Sequence, residues 1–261
     1  MLFPGAPGSR RFVPDAEATA AAGVRLVTFD RPGFGLSTPK PGRDLLDTAA
    51  DVAALLDALG TDRVAIVGVS AGGPHALACA ASRALAGRLG AAAVVSAPGP
   101  LDEVPGAWEA LGEHMRPTAE MARREPARSI RAVERFMGPA VADPGTYLQG
   151  GPPADRAVVT DPRVRPMLVS DLEEAFRQGA TGLADDLVAF WRPWRFRIAD
   201  VPAGVFLWHG EQDTRAAADA SYLAGALPGC RATTWPDAGH LGVVTHWHEV
   251  LETLVDARFP R

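Results

Sequence analysis

From Val24 onward the chain alternates short, continuously apolar runs with longer amphipathic ones, and this alternation constrains the fold more than any other feature. The runs VRLVTF, RVAIVG and AAAVVS are separated by DLLDTAADVAALLDALG and PHALACAASRALA. An apolar run without polar interruptions suits a strand buried on both faces, and helices between such strands form crossovers in a parallel sheet. In the first amphipathic run, Leu45, Ala49, Val52, Leu56 and Leu59 recur at helical spacing, with Asp44 placed as an N-cap and Gly60 as the residue that ends the helix. The alternation returns late in the chain as GVFLWHG, ATTWPDAGH and an amphipathic helix from about Trp247 to Val255. The expected fold is α/β, with a mostly parallel central sheet flanked by helices.

Between about Pro98 and Asp200 the pattern changes to helical segments broken by PGAW, GPAVADPG and QGGPP, with no clear strand. The expected organisation is a core made of residues 1–97 and 201–261, with residues 98–200 as a helical cap inserted over the strand ends. The aromatics Trp108, Phe136, Tyr147, Phe176, Phe190, Trp191 and Trp194 of that insertion either line a pocket or form its own core, and packing is the commoner use of a buried ring.

The 261 residues carry a formal charge of -5, and the arginines are not gathered into a stripe with aromatics, which argues against nucleic acid as a partner. No segment approaches the roughly 20 apolar residues that span a bilayer, and the opening MLFPGAPGSRRF lacks the apolar run of a signal peptide, so a cytoplasmic protein without a membrane partner is expected. Cys79 and Cys230 lie far apart without CxxC spacing, as two buried thiols rather than a disulfide or a zinc site.

Ser70 stands in Gly68-Val69-Ser70-Ala71-Gly72, after the apolar VAIVG and before PHALACA, the strand-turn-helix setting that a nucleophile elbow requires. Glycines on either side relieve crowding in a strained turn, and Pro74 suits a first helical turn. The motif carries the order serine, acid, histidine, so the base is sought late in the chain. His240, in PDAGH, follows a strand and precedes the last helix. His75 sits inside the helix after Ser70, His209 at a strand end, His114 in the insertion, and His246 and His248 near a helix start on different sides. Asp213 in WHGEQD fits the acid best, since a carboxylate there would orient the imidazole. Asp102 is the second candidate, and Asp237 reads as a turn residue or a support for His240.

The ordered set FDRPGFGLS (29–37), VGVSAGG (67–73), WHGEQD (208–213) and DAGH (237–240) resembles the α/β-hydrolase superfamily over nearly the whole chain, and GVSAGGPHALACA with EAFRQGATGLADDL resembles a bacterial subgroup of capped members. The resemblance implies a Ser70, Asp213, His240 triad, a helical cap, a small acyl substrate, and neither cofactor nor metal. It also implies an oxyanion hole from the backbone N–H groups of Ala71 and of Ala6, in PGAPGS at 4–9, where Pro4 replaces the usual histidine. In the superfamily's sheet the strand entering that loop lies between residues 25–29 and 63–68. Met1 to Phe3 supply only a stub of it and two earlier strands are missing, so the expectation is a natural start upstream of Met1.

The reaction expected is cleavage of an ester, thioester or related acyl bond. A serine nucleophile argues against dehalogenase and epoxide hydrolase chemistry, which in this superfamily uses aspartate. A proline iminopeptidase-like aminopeptidase and a non-catalytic ligand-binding protein on the same fold are the alternatives.

Overall fold

Successive residues of a strand point to opposite faces of its sheet, so a sheet covered on both sides needs apolar residues at every position. The computed structural model, which describes residues 1–149, 151–202 and 204–257, meets that requirement in its central strands. Ile66 of β2 (Val64–Val69), Ala92 and Val94 of β3 (Leu89–Val95), and Val205 and Leu207 of β4 (Val205–Gly210) enter one apolar cluster. Their neighbours Val67, Val69, Ala93, Val95, Phe206 and Trp208 enter another on the opposite face. With β1 (Leu2–Phe3) and β5 (Arg231–Trp235), these strands form a sheet in the order β1-β2-β3-β4-β5, and every pairing is parallel.

Helices cover both faces. On one side α2 (Asp47–Ala58) contributes Ala49, Val52 and Leu56, and α3 (Gly72–Ala81) contributes Ala76, Leu77 and Cys79. On the other, Ala18 of α1 (Ala16–Ala21) packs with Trp247, Val250, Leu251 and Leu254 of the C-terminal helix. Asp44 does cap a turn, but three residues ahead of the helix: its Oδ1 accepts from the N–H groups of Leu46 and Asp47, and α2 begins at Asp47. Gly60 follows the helix end with φ +59°.

The run VRLVTF does not form the expected strand. Leu2 N–H donates to Val27 O at 2.9 Å and Leu2 bridges Thr28, while the other side of β1 pairs with Val67 and Gly68 of β2. The stub therefore occupies the position between the two segments that the sequence assigns to it, but its short length gives residues 24–29 almost no ladder to join. A strand is a product of pairing, and the β-branched residues Val24 and Val27 alone do not make one. Below the stub, Val24, Leu26, Val64, Ala65, Trp247 and Leu251 help to line a cavity of about 270 Å³. Cys79 is buried as expected, but Cys230 is only half-buried at the loop before β5.

Between β3 and β4 the described residues contain only helices and turns: α4 (Ala107–Ala110), α5 (Gly112–Arg124), α6 (Pro126–Ala142), α7 (Pro153–Thr160), α8 (Arg165–Ala175) and α9 (Thr181–Trp191), with short 3-10 turns. Gly150, in the QGGPP break, lies outside the described residues. After β4 come α10 (Ala217–Ala226), α11 (Gly242–Thr245) and α12 (Trp247–Asp256). None of the described helices is long and apolar enough to cross a membrane.

The helical segment is fastened to the sheet by charge as well as by apolar packing. Asp186 on α9 is fully buried and accepts from Arg31 Nε at 2.9 Å and from Arg43 Nη2 at 2.7 Å. Burial alone would raise the Asp186 carboxyl, but the two guanidinium groups outweigh it and hold the group far below the usual carboxylate range. His75, whose Nδ1 is 2.7 Å from Thr48 Oγ1, is pushed below the ordinary histidine value by burial and stays neutral beside this cluster. Removing one member of a buried ion pair strands the other, at a typical cost of about 3–5 kcal/mol. Asp186→Asn should therefore destabilise the fold by about 3–5 kcal/mol, read as a fall in the thermal unfolding midpoint of roughly 10 °C. A variant that melts with the wild type would show that the cluster does not hold the two parts together.

Candidate active site

Ser70 follows β2 directly, and its backbone turns into α3 with φ +51°, a left-handed conformation that an L-residue holds only under constraint. Both flanking glycines are required by close approach of main chain. A Cβ on Gly68 would lie 2.4 Å from Gly72 O, and one on Gly72 would lie 2.2 Å from Phe3 O. The second contact presses the start of α3 against the segment that leads into PGAPGS. Ser70 N–H donates to Val95 O at 2.8 Å, which fixes the turn to the neighbouring strand. The N-terminal end of α3, the positive end of its dipole, thus sits beside the Ser70 hydroxyl.

Ser70, His240 and Asp213 come together although 170 residues separate the first two. His240 Nε2 is 2.8 Å from Ser70 Oγ, and His240 Nδ1 is 2.5 Å from Asp213 Oδ2. Asp213 lies in the loop after β4 and is 3% exposed. Burial would raise its carboxyl, but the His240 hydrogen bond and the nearby positive charge outweigh that and hold it below the ordinary aspartate value. An ionised carboxylate only accepts, so Nδ1 carries a proton, and in that tautomer the Nε2 lone pair faces the serine hydroxyl.

The remaining candidates fall elsewhere. Asp102 is at the surface in an ion pair with Arg123 at 2.8 Å. Asp237 is exposed and pairs with His246 Nε2 at 3.3 Å, so it does not support His240. His246 stacks on Trp235, while His114 and His248 are exposed. His209 is buried at the end of β4, and burial lowers its pKa. The residue that does hold the His240 loop is Asp155 of α7, whose oxygens accept from the N–H groups of His240 (3.1 Å) and Leu241 (2.8 Å). Nothing local marks Asp155 in the sequence, because its partners are 85 and 86 residues away.

Ala6 and Ala71 line the same cavity as Ser70 and His240. The loop carrying Ala6 lacks a histidine, and another side chain holds its shape: Arg31 donates from Nη1 to Pro4 O at 2.5 Å and from Nη2 to Gly5 O at 2.7 Å. The same guanidinium reaches Asp186, so the loop, the sheet and α9 share one buried group. Arg31 lies within FDRPGFGLS, and the available signal was an arginine in a chain segment that otherwise reads as apolar and turn-forming.

The cavity over Ser70 has a volume of about 300 Å³. Leu101, Ala107, Leu111, Leu187, Phe190 and Trp191 form its apolar wall, with Ser96, Arg215 and Asp219 as polar members. Of the aromatics in the helical segment, only Phe190 and Trp191 face this space. Phe176 is buried among the helices, Trp194 stacks on Phe196, Trp108 lies under Arg123, and Phe136 and Tyr147 are exposed.

The chain is 42% identical over 80 residues to the 2-hydroxy-6-oxononadienedioate/2-hydroxy-6-oxononatrienedioate hydrolase 1 of Dechloromonas aromatica (strain RCB), a match that covers 30% of this chain and 27% of that relative. In three dimensions it is similar to a bromoperoxidase from Bacillus anthracis, with a TM-score of 0.71 and 21% identity over 98% of this chain and 90% of the other. It is likewise similar to the enol-lactonase of Burkholderia xenovorans LB400, with a TM-score of 0.65 and 21% identity over 98% and 89% of the two chains. At such identities the structural likeness speaks for the fold. The model of the Alpha/beta hydrolase family matches residues 2–253, nearly the full length, and with the elbow at Ser70 and the parallel sheet beneath it this chain belongs to that family.

Proposed function

We propose that the protein is a serine hydrolase that cleaves an ester, thioester or related acyl bond through an acyl-enzyme on Ser70. The observation that carries this reading is the continuous chain of hydrogen-bonding contacts from Asp213 through His240 to Ser70. His240 Nε2 takes the Ser70 proton as Oγ bonds to the substrate carbonyl carbon. The carbonyl oxygen becomes an oxyanion, held by the backbone N–H groups of Ala71 and Ala6. Collapse breaks the bond to the alcohol or thiol, which leaves with the proton from His240. Water then gives a proton to His240 and attacks the acyl carbon, and the acid departs as Ser70 recovers its proton. Asp213 stays ionised and stabilises the imidazolium at both stages.

The helical segment at 98–200 serves in this reading as a cap, since Leu187, Phe190 and Trp191 on its last helix wall the cavity and exclude water from the acyl group. The hydrolase named for the Dechloromonas relative, 42% identical over 80 residues, supports hydrolytic chemistry on this scaffold. The apolar wall favours a substrate of modest size whose acyl or alcohol part is largely uncharged.

A fluorophosphonate probe should label the wild-type protein and not Ser70→Ala, and short p-nitrophenyl esters should be turned over by the former alone. His240→Ala and Asp213→Asn should each lower kcat by about 10⁴, whereas Asp102→Asn should leave it unchanged. Unaltered labelling of Ser70→Ala would remove the nucleophile assignment.

Arg31→Lys tests the support of the oxyanion loop. Lysine keeps the charge beside Asp186 but cannot reach two carbonyls and a carboxylate with one ammonium. Loss of one oxyanion donor typically costs about 10²–10³ in kcat, so a loosened loop should lower kcat by up to about 10² with a smaller change in KM. A rise in KM alone would place Arg31 in substrate binding rather than in shaping the loop.

A further inference from the structure

Among the described residues, only Ser70 and Ser96 are non-glycine residues with a left-handed φ, at +51° and +49°. They lie at the carboxyl tips of adjacent parallel strands, β2 and β3, and Val95, whose carbonyl accepts the Ser70 N–H, immediately precedes Ser96. The Ser96 N–H is engaged with Trp208 O on β4 at 2.9 Å, which pins the residue from the other side. Its side chain, by contrast, is 3% exposed and lines the cavity with Ser70, Asp213 and His240, and its Oγ has no hydrogen-bond partner among the described residues.

Each of these features costs stability, and neither is needed to build the strand end. Glycine would adopt the same φ without a steric penalty, and alanine would bury no polar atom. A hydroxyl that makes no structural bond, held rigid at the edge of the reactive space, has the properties of a ligand-binding group. The neighbouring polar groups do not take this role. Asp219 accepts the Gly99 N–H at 2.8 Å, and Arg215 is exposed at the rim. No guanidinium or ammonium is bonded to Ser96, and the wall around it is largely apolar, which favours an uncharged partner. A hydroxyl both donates and accepts, so another hydroxyl can use both of its capacities at once.

We propose that Ser96 is a specificity-determining residue whose Oγ hydrogen-bonds a hydroxyl carried by the substrate close to the scissile acyl bond. The assignment rests on the serine hydrolase reading of the same cavity. It makes the substrate class hydroxy-acyl esters or esters of short diols rather than plain aliphatic esters. A site that bonds a substrate hydroxyl discriminates against the methyl isostere, because the protein hydroxyl is then buried without a partner.

The test compares isosteric pairs: p-nitrophenyl 2-hydroxypropanoate with 2-methylpropanoate, p-nitrophenyl 3-hydroxybutanoate with 3-methylbutanoate, and 2-hydroxyethyl butanoate with propyl butanoate. The wild type should favour the hydroxylated member of at least one pair in kcat/KM. Ser96→Ala should lower kcat/KM for that ester by about three- to tenfold and leave its methyl partner within about twofold, which erases the preference. Ser96→Gly, which fits the left-handed backbone, should do the same, and it carries the test if the alanine variant does not fold. An equal loss on both members, no loss on either, or a wild type without preference in any pair overturns the assignment of Ser96. A wild type that neither takes the fluorophosphonate label nor turns over any ester overturns the hydrolase reading itself, and this assignment with it.

Discussion

The Arg31 guanidinium is the group on which the architecture converges. It is 1% exposed, and burying an ion costs several kcal/mol unless nearly all its donors are used. Here they are: Nε and Nη2 meet Asp186, Nη1 meets Pro4 O, and Nη2 also meets Gly5 O. Three parts of the chain that are remote in sequence, the PGAPGS loop, the turn after residue 29 and α9, are thereby obliged to keep one relative position. Arg43, with bonds to Gly182 O and Asp186, repeats the attachment a short distance away. Pro4 brings no side-chain hydrogen-bonding group to the PGAPGS loop, and the anchorage runs instead through the main-chain carbonyls of Pro4 and Gly5.

The serine elbow depends on backbone contacts of a different kind. Its two glycines leave room for the Gly72 carbonyl and for the carbonyls of Phe3 and Pro4, so the position of Ser70 is set by how closely three stretches of main chain can pass. That is why the G-x-S-x-G pattern could be read directly: it is a local steric requirement. Asp213 was legible because it follows the apolar run of β4, and His240 because it follows the short β-branched segment ATTW and a turn. The apolar runs of β2, β3 and β4 gave the parallel sheet in the same way, with alternate residues entering the two clusters.

Other features lay beyond local pattern. Asp155 reaches the His240 loop, and Asp186 reaches Arg31, across separations that no periodicity marks. An aspartate on an amphipathic helix ordinarily reads as a solvated face, and only packing turns α9 so that Asp185 and Asp186 point inward. Ser96 escaped notice because its backbone conformation, not its identity, sets it apart. Residues 24–29 mark the opposite case, in which local propensity points to a strand but pairing stops at a single bridge from Leu2 to Thr28 and no strand forms.

The short β1 divides the sheet along its length. Toward the carboxyl tips the strands are knitted on both sides: Ser70 to Val95, Ser96 to Trp208, and β4 to β5 through Gly210 and Trp235. Toward the amino ends, β1 reaches only as far as Val27 O and Ala65 O, and beyond it Val24, Arg25, Leu26 and Val64 help to line the cavity of about 270 Å³. The cavity beside β1 and the cavity over Ser70 share no lining residue, so a change of volume at the amino ends of the strands leaves the walls around Ser70 untouched.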